Sequence, residues 1–251
     1  MGVLSLYFSL FVRSEVGADR ADGVYGVVSA ISMGLIFILS PALGAMTDRA
    51  RRRMPFLVGA TLICVAGTAL IGTGPFALSI GLFILANAAY QAGVQFYDSL
   101  LPEVTHAGNR GRISGIGVGV GYLGSYIAVG AGFLIAPDNH PALFGLLAAG
   151  FLLFALPCFL FVRERGNPAP RPVFSWSALQ ASAGETVRTL KASRDFPGLA
   201  RFLVGRVFYT DAINTVISYM GLYTVNVALA TGLSQAEGRT QAQLVLMSAI
   251  T

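Results

Sequence analysis

The stretch Gly44-Ala45-Met46-Thr47-Asp48-Arg49-Ala50-Arg51-Arg52-Arg53 sets one aspartate and four arginines side by side, and the runs on either side of it carry no charge. Gly23 to Met46 precedes the cluster and Met54 to Tyr97 follows it. A helix needs about 20 apolar residues to cross a hydrocarbon core, and both runs exceed that. The second is long enough for two helices, with Gly72-Thr73-Gly74-Pro75 as the turn that splits it. A cationic turn between two such runs reads as a hairpin between membrane helices. Helices are the expected form because lipid offers the backbone no hydrogen-bond partners. The chain is expected to be an all-α, multi-pass integral membrane protein.

Composition agrees. Of the 251 residues, 55% are hydrophobic and only 12% charged, and the mean hydropathy is +0.68. A soluble domain of this size needs a more polar surface. The net charge of +5 does not point to nucleic acid, because the basic residues stand in short loops beside apolar spans, where they orient the chain in a bilayer. Cys64 and Cys158 both fall within apolar spans and read as small buried hydrophobes.

Working outward from the hairpin, the apolar runs predict spans at Gly23 to Met46, Pro55 to Ile71, Phe76 to Ser99, Ile113 to Ala136, Ala142 to Val162 and Phe202 to Ala228. A shorter run, Val3 to Val12, reads as an incomplete first helix, followed by a polar turn from Arg13 to Asp22. Seven helices are expected, with another apolar span opening at Gln243. Pro41 and Pro157 lie inside spans and predict kinks there. One set of loops holds Arg49, Arg51, Arg52, Arg53, Arg110, Arg112, Arg163, Arg165, Arg171, Arg188, Lys191, Arg194 and Arg201, thirteen of the seventeen basic residues. That asymmetry puts these loops in the cytoplasm.

Three parts follow: an N-terminal transmembrane bundle over 1–162, a cytoplasmic linker over 163–200, and the truncated start of a C-terminal bundle over 201–251. In the linker, Trp176, Leu179, Ala183, Val187 and Leu190 recur at the spacing of an amphipathic helix lying at the membrane interface. The chain is expected to be a fragment.

The hairpin resembles the signature of the major facilitator superfamily, a Gly, three residues, Asp, a basic residue, one residue, Gly and two basic residues. Gly44, Asp48, Arg49, Arg52 and Arg53 match, and Arg51 stands where the second glycine would be. Phe96 to Glu103, Gly111-Arg112-Ile113-Ser114-Gly115, Gly121-Tyr122-Leu123-Gly124 and Arg206 to Thr215 are similar to the vacuole-effluxer-like branch of that superfamily. The resemblance implies a six-helix N-terminal bundle plus the seventh helix of a second one. It also implies a secondary active transporter that moves a small solute by alternating access, as gradient-coupled efflux. Amino acids are the substrate class hinted at for fungal members, and a bacterial inner membrane is the implied location.

Carboxylate and guanidinium groups at helix ends can form charge-assisted bonds that break when bundles rock apart. Asp48, Arg49, Arg52, Arg53, Asp98 and Arg112 are therefore the expected cytoplasmic gate, with Asp98 as the carboxylate facing the arginines. On the fourth span Asn87, Gln91 and Gln95 share a face with Asp98, and polar groups are costly against lipid, so this stripe is expected to line an inner cavity. Tyr122, Tyr126, Tyr209, Asp211, Asn214 and Ser218 are expected to line the same cavity from the fifth and seventh spans. Asp211, an ionisable residue within a span, is the candidate for a coupling proton or a substrate ammonium. Gly115, Gly119, Gly121 and Gly124 are expected to let another helix pack closely.

No Walker-type phosphate loop and no His, Cys, Asp or Glu set with metal spacing occurs, so neither ATP, a cofactor, a metal nor an enzyme activity is expected. The competing reading is a non-transporting sensor or scaffold on the same fold. The expected partners are a small solute, amino acids among them, a coupling proton and the bilayer.

Overall fold

Apolar runs of this length satisfy their backbones internally as helices. The computed structural model describes residues 2–105, 108–135, 139–164 and 198–250, with Gly166, Gly184 and Arg188 as isolated positions. Among the described residues the α-helices are α1 (Gly2–Val16), α2 (Ala18–Arg49), α3 (Met54–Ala69), α4 (Phe76–Val104), α5 (Arg110–Ala131), α6 (His140–Phe161), α7 (Leu199–Ala230) and α8 (Gln235–Ile250). A 3-10 turn, Gly132–Leu134, closes α5. The amphipathic helix expected around 176–190 lies almost wholly outside the described residues.

Among the described residues four helices are long and apolar enough to cross a bilayer: α2, Phe76–Pro102 of α4, Gly111–Gly130 of α5, and α6. The apolar α3 is shorter, at 16 residues. Pro41 and Pro157 lie within continuous helices. The expected polar turn from Arg13 to Asp22 is not a turn. Helix runs to Val16 and resumes at Ala18, with only Gly17 between them, at φ 81° and ψ 164°, a backbone region that glycine enters without strain. Arg13 and Asp22 stay in helix because each finds a polar partner across the fold.

Short connections alternate the helices between two ends. At the arginine-rich end, Arg53 Nε donates to the Thr47 carbonyl at 2.9 Å and Arg53 Nη1 to the Ser99 carbonyl at 3.0 Å, tying the end of α2 to α4. Glu164, just past α6, accepts from the backbone N–H of Arg53 (2.7 Å) and Met54 (3.2 Å). An α-helix leaves its first N–H groups without partners, so Glu164 caps α3 from a distant part of the chain. At the opposite end, Gly72 N–H donates to Ser79 Oγ, and the Ser14 hydroxyl lies 3.2 Å from His140 Nε2.

The core centres on α1. Tyr7, Phe8, Phe11 and Val12 are buried against Tyr25 and Val28 of α2, Phe83 of α4, Leu143 and Phe144 of α6 and Leu222 of α7. Phe8 stacks on Phe83 with ring centroids 3.8 Å apart, and Phe144 meets Phe11 edge-on. Between α3 and α4 the contact runs through small residues. A Cβ built on Gly67 would sit 3.3 Å from that of Ala86, and one on Gly93 would sit 3.8 Å from that of Ala60. Small side chains let backbones approach where lipid supplies no hydrophobic drive.

Candidate functional site

The amide stripe of α4 faces α2. Asn87 is buried, and Gln95 Nε2 donates to Ser40 Oγ at 2.9 Å. Ser40 and Gln95 are 55 positions apart, as are Ser32 and Asn87, which puts Ser32 and Asn87 at one level two turns along the same interface. Ser32 Oγ, Asn87 Oδ1 and Gln95 Oε1 are buried oxygens without a hydrogen-bond partner. Gln91 is half-buried between them. Asn87 is thus buried in the α2–α4 contact, while Gln91 and Gln95 are half-buried along it and Asp98 is exposed.

On α5, Tyr122 is exposed and Tyr126 half-buried, while Tyr209 on α7 is 68% exposed. Asp211, Asn214 and Ser218 belong to the backbone of α7, but their side chains lie outside the described residues. The α5 glycines expected to admit another helix have open space around them among the described residues. A Cβ on Gly115, Gly119, Gly121 or Gly124 would meet nothing within 4 Å, and residues 114–123 are all exposed. The close approach occurs just past α5, where a Cβ on Gly132 would fall 1.8 Å from the Tyr7 hydroxyl. Tyr7 there donates to the Val129 carbonyl and accepts from Gln243 Nε2 of α8, so this end of α5 is tied to α1 and α8.

At the arginine-rich end, Arg53 is the residue that joins helix ends, while Arg49 is half-buried and Asp48, Arg52 and Arg112 are exposed. Asp98 was expected to face this cluster. Arg53 reaches the Ser99 carbonyl beside it, and Asp98 itself is exposed. The forked guanidinium is taken up by carbonyls, among them Thr47 at the end of α2, where the last turn has no intrahelical donors.

The opposite end holds a polar network that sequence reading did not single out. Arg13 of α1 is 5% exposed and donates through Nη1 to Asn226 Oδ1 of α7. Asn226 Nδ2 in turn donates to Asp22 Oδ2 of α2 at 3.2 Å. Next to it, Tyr219 of α7 stands edge-on to Tyr25, 5.4 Å between centroids, with its hydroxyl over Gly26, where a Cβ would lie 3.1 Å away. Buried Leu222 and Val225 complete this contact. In contrast, every residue from Arg201 to Thr210 is exposed, so no face of that part of α7 packs on the first six helices. Two helical groups thus meet at one end and part at the other. The sequence signal for the network was present in Arg13, a charge at the edge of an apolar run, but its partner stands 213 positions away.

The family model described as vacuole effluxer Atg22 like matches residues 20–248. The chain belongs to this family. Its relatives include the uncharacterized MFS-type transporter YxiO of Bacillus subtilis (strain 168), 25% identical over 86% of this chain and 53% of YxiO. The class C tetracycline resistance protein of Escherichia coli is 26% identical over 78% of this chain and 50% of its own length. Autophagy-related protein 22-1 of Penicillium rubens (strain ATCC 28089 / DSM 1075 / NRRL 1951 / Wisconsin 54-1255) is 28% identical over 42% of this chain and 20% of its own. The chain spans about half the length of the first curated relatives it matches. No solved structure matches it. This Atg22-like chain is thus a multi-pass membrane protein of the major facilitator superfamily.

Proposed function

We propose that this Atg22-like protein moves a small solute across a membrane by alternating access, with the first six helices as one rocking element and the group opened by α7 and α8 as the other. The arginine-rich end is assigned to the cytoplasm by its basic loops, and the bacterial relatives favour an inner membrane. The observation that carries this reading is the one-sided contact of α7. Its second half is locked to α1 and α2, while Arg201 to Thr210 stand free. This one-sided contact supports a pathway closed on the outside and open to the cytoplasm.

The outer lock would be Arg13, Asn226 and Asp22, broken when the outside opens. Asp98 of α4 and Arg206 of α7, both exposed and opposite in charge, would draw together in the alternate state. Asn87, Gln91, Gln95, Tyr122, Tyr126, Tyr209, Asp211, Asn214 and Ser218 remain the proposed polar lining, with Asp211 taking the coupling proton. Efflux is the direction suggested by the family description, and amino acids are the first substrates to try.

The test is solute flux in proteoliposomes under an imposed proton gradient, across an amino-acid panel. Gradient-driven movement is expected, and Asp211→Asn should abolish its dependence on the gradient. If flux and its pH dependence survive that substitution unchanged, Asp211 does not couple. If no solute moves while one still raises the melting temperature, the protein senses and does not transport.

A further inference from the structure

A cavity of about 240 Å³ lies between α3, α4 and α6, away from the α7 contact. Its floor is Leu57, Thr61, Ala89 and Gly93, all buried, and its mouth is formed by the exposed rings of Tyr97 and Phe154. Cys158 also lines it. The lining is almost wholly apolar, and the volume falls below the roughly 300–1,000 Å³ of pockets that enclose a drug-sized molecule. A short length of hydrocarbon chain fits both facts.

Position fixes what the chain belongs to. Leu57 is one turn into α3, and Cys158 is one turn from the end of α6, so the cavity opens close to the arginine-rich end. There Glu164 binds the first N–H groups of α3, and a Cβ on Gly166 would lie 3.3 Å from the Arg51 carbonyl, so the segment that carries Arg163 runs along the hairpin that carries Arg52. Both arginines are exposed, and neither makes a hydrogen bond or ion pair among the described residues. An apolar slot close to two exposed guanidinium groups matches a molecule with a hydrocarbon tail and an anionic head.

We propose that the cleft between α3, α4 and α6 is a binding site for an anionic phospholipid, one acyl chain in the cavity and the phosphate held by Arg52 and Arg163. The lipid would brace the end of α6 against the α2–α3 hairpin. This site does not depend on whether the protein transports.

Cys158 reports on occupancy. Purified protein in detergent is mixed with phosphatidylglycerol or phosphatidylcholine and treated with a maleimide, and labelling is read by peptide mass so that Cys64 is scored separately. Phosphatidylglycerol should slow Cys158 labelling at a concentration at least fivefold lower than phosphatidylcholine, with the gap closing at high salt. Arg52→Gln with Arg163→Gln, at exposed positions, should remove that preference while both lipids still protect at high concentration. Ala155→Phe, inside the cavity, should shield Cys158 without lipid and cancel the rise in melting temperature that phosphatidylglycerol gives the unaltered protein. Equal protection by the two lipids, or a preference that survives the double arginine substitution, overturns the headgroup assignment. Labelling indifferent to both lipids overturns the site.

Discussion

Arg13→Met removes the buried guanidinium and keeps most of its stem, so it tests the outer lock with little loss of packing. Arg13 is 5% exposed and is the donor that ties α1 to Asn226 of α7, which ties on to Asp22 of α2. A hydrogen bond to a charged group contributes about 1.5–3 kcal/mol. Taking about 2 kcal/mol, lost only from the state in which that end is closed, the balance between states moves by about 30-fold toward opening, at about 1.4 kcal/mol per tenfold. Ser9, fully buried one turn below Arg13 on the same face of α1, is the place to read this. With Ser9→Cys as reporter, a water-soluble thiol reagent applied from outside should label much faster when Arg13→Met is added, up to about that ratio. Asn226→Leu in the same background should add less than it costs alone, because the Arg13–Asn226 bond is already gone and the bond to Asp22 is what remains to lose. If labelling is unchanged by Arg13→Met, and the two substitutions are additive in thermal unfolding, the network is a surface contact and the gating argument fails.

Gly132→Ala should lower the melting temperature, because its Cβ would overlap the Tyr7 hydroxyl; overpacking of this kind costs about 1–3 kcal/mol. Gly119→Ala, with open space around it, should be neutral or slightly stabilising. Glu164→Gln and Arg53→Lys should each reduce thermal stability, the first by weakening the α3 cap and the second by losing the fork across Thr47 and Ser99; a cap is worth about 0.5–2 kcal/mol. At the start of α8, Glu237 accepts from the Ser234 backbone N–H and hydroxyl, which holds its carboxyl below the ordinary glutamate value. Its contribution is present above the unfolded value of 4.5 and lost as pH falls through the lower folded one, so the melting difference between the unaltered protein and Glu237→Gln should vanish at acidic pH.

The apolar runs located α2, α3, α4, α5, α6 and α7 to within a few residues for most of their ends, because hydropathy over twenty positions is a strong local signal. α1 was read too short for a local reason as well. Arg13, Glu15, Asp19, Arg20 and Asp22 look like a solvated turn until the partners of Arg13 and Asp22 are known. The α5 glycines are a different case. Their spacing permits close packing, but the grip on α5 comes at Val129 and Gly132, where Tyr7 is wedged. The α4 stripe is legible as one polar face, but that Gln95 meets Ser40 of α2 could not be seen from α4 alone.

By itself the sequence determined the class of protein, the order of its helices, the position of the cationic hairpin and the family. All of these rest on composition and motifs carried by neighbouring residues. Only the tertiary structure decided which polar groups meet: Arg53 with Thr47 and Ser99, Glu164 with the start of α3, Gln243 with Tyr7, and Arg13 with Asn226 and Asp22. Each side chain on a helix points about 100° from the next. Partners across a bundle are therefore set by how whole helices rotate and tilt on one another, a choice made by packing summed over the fold.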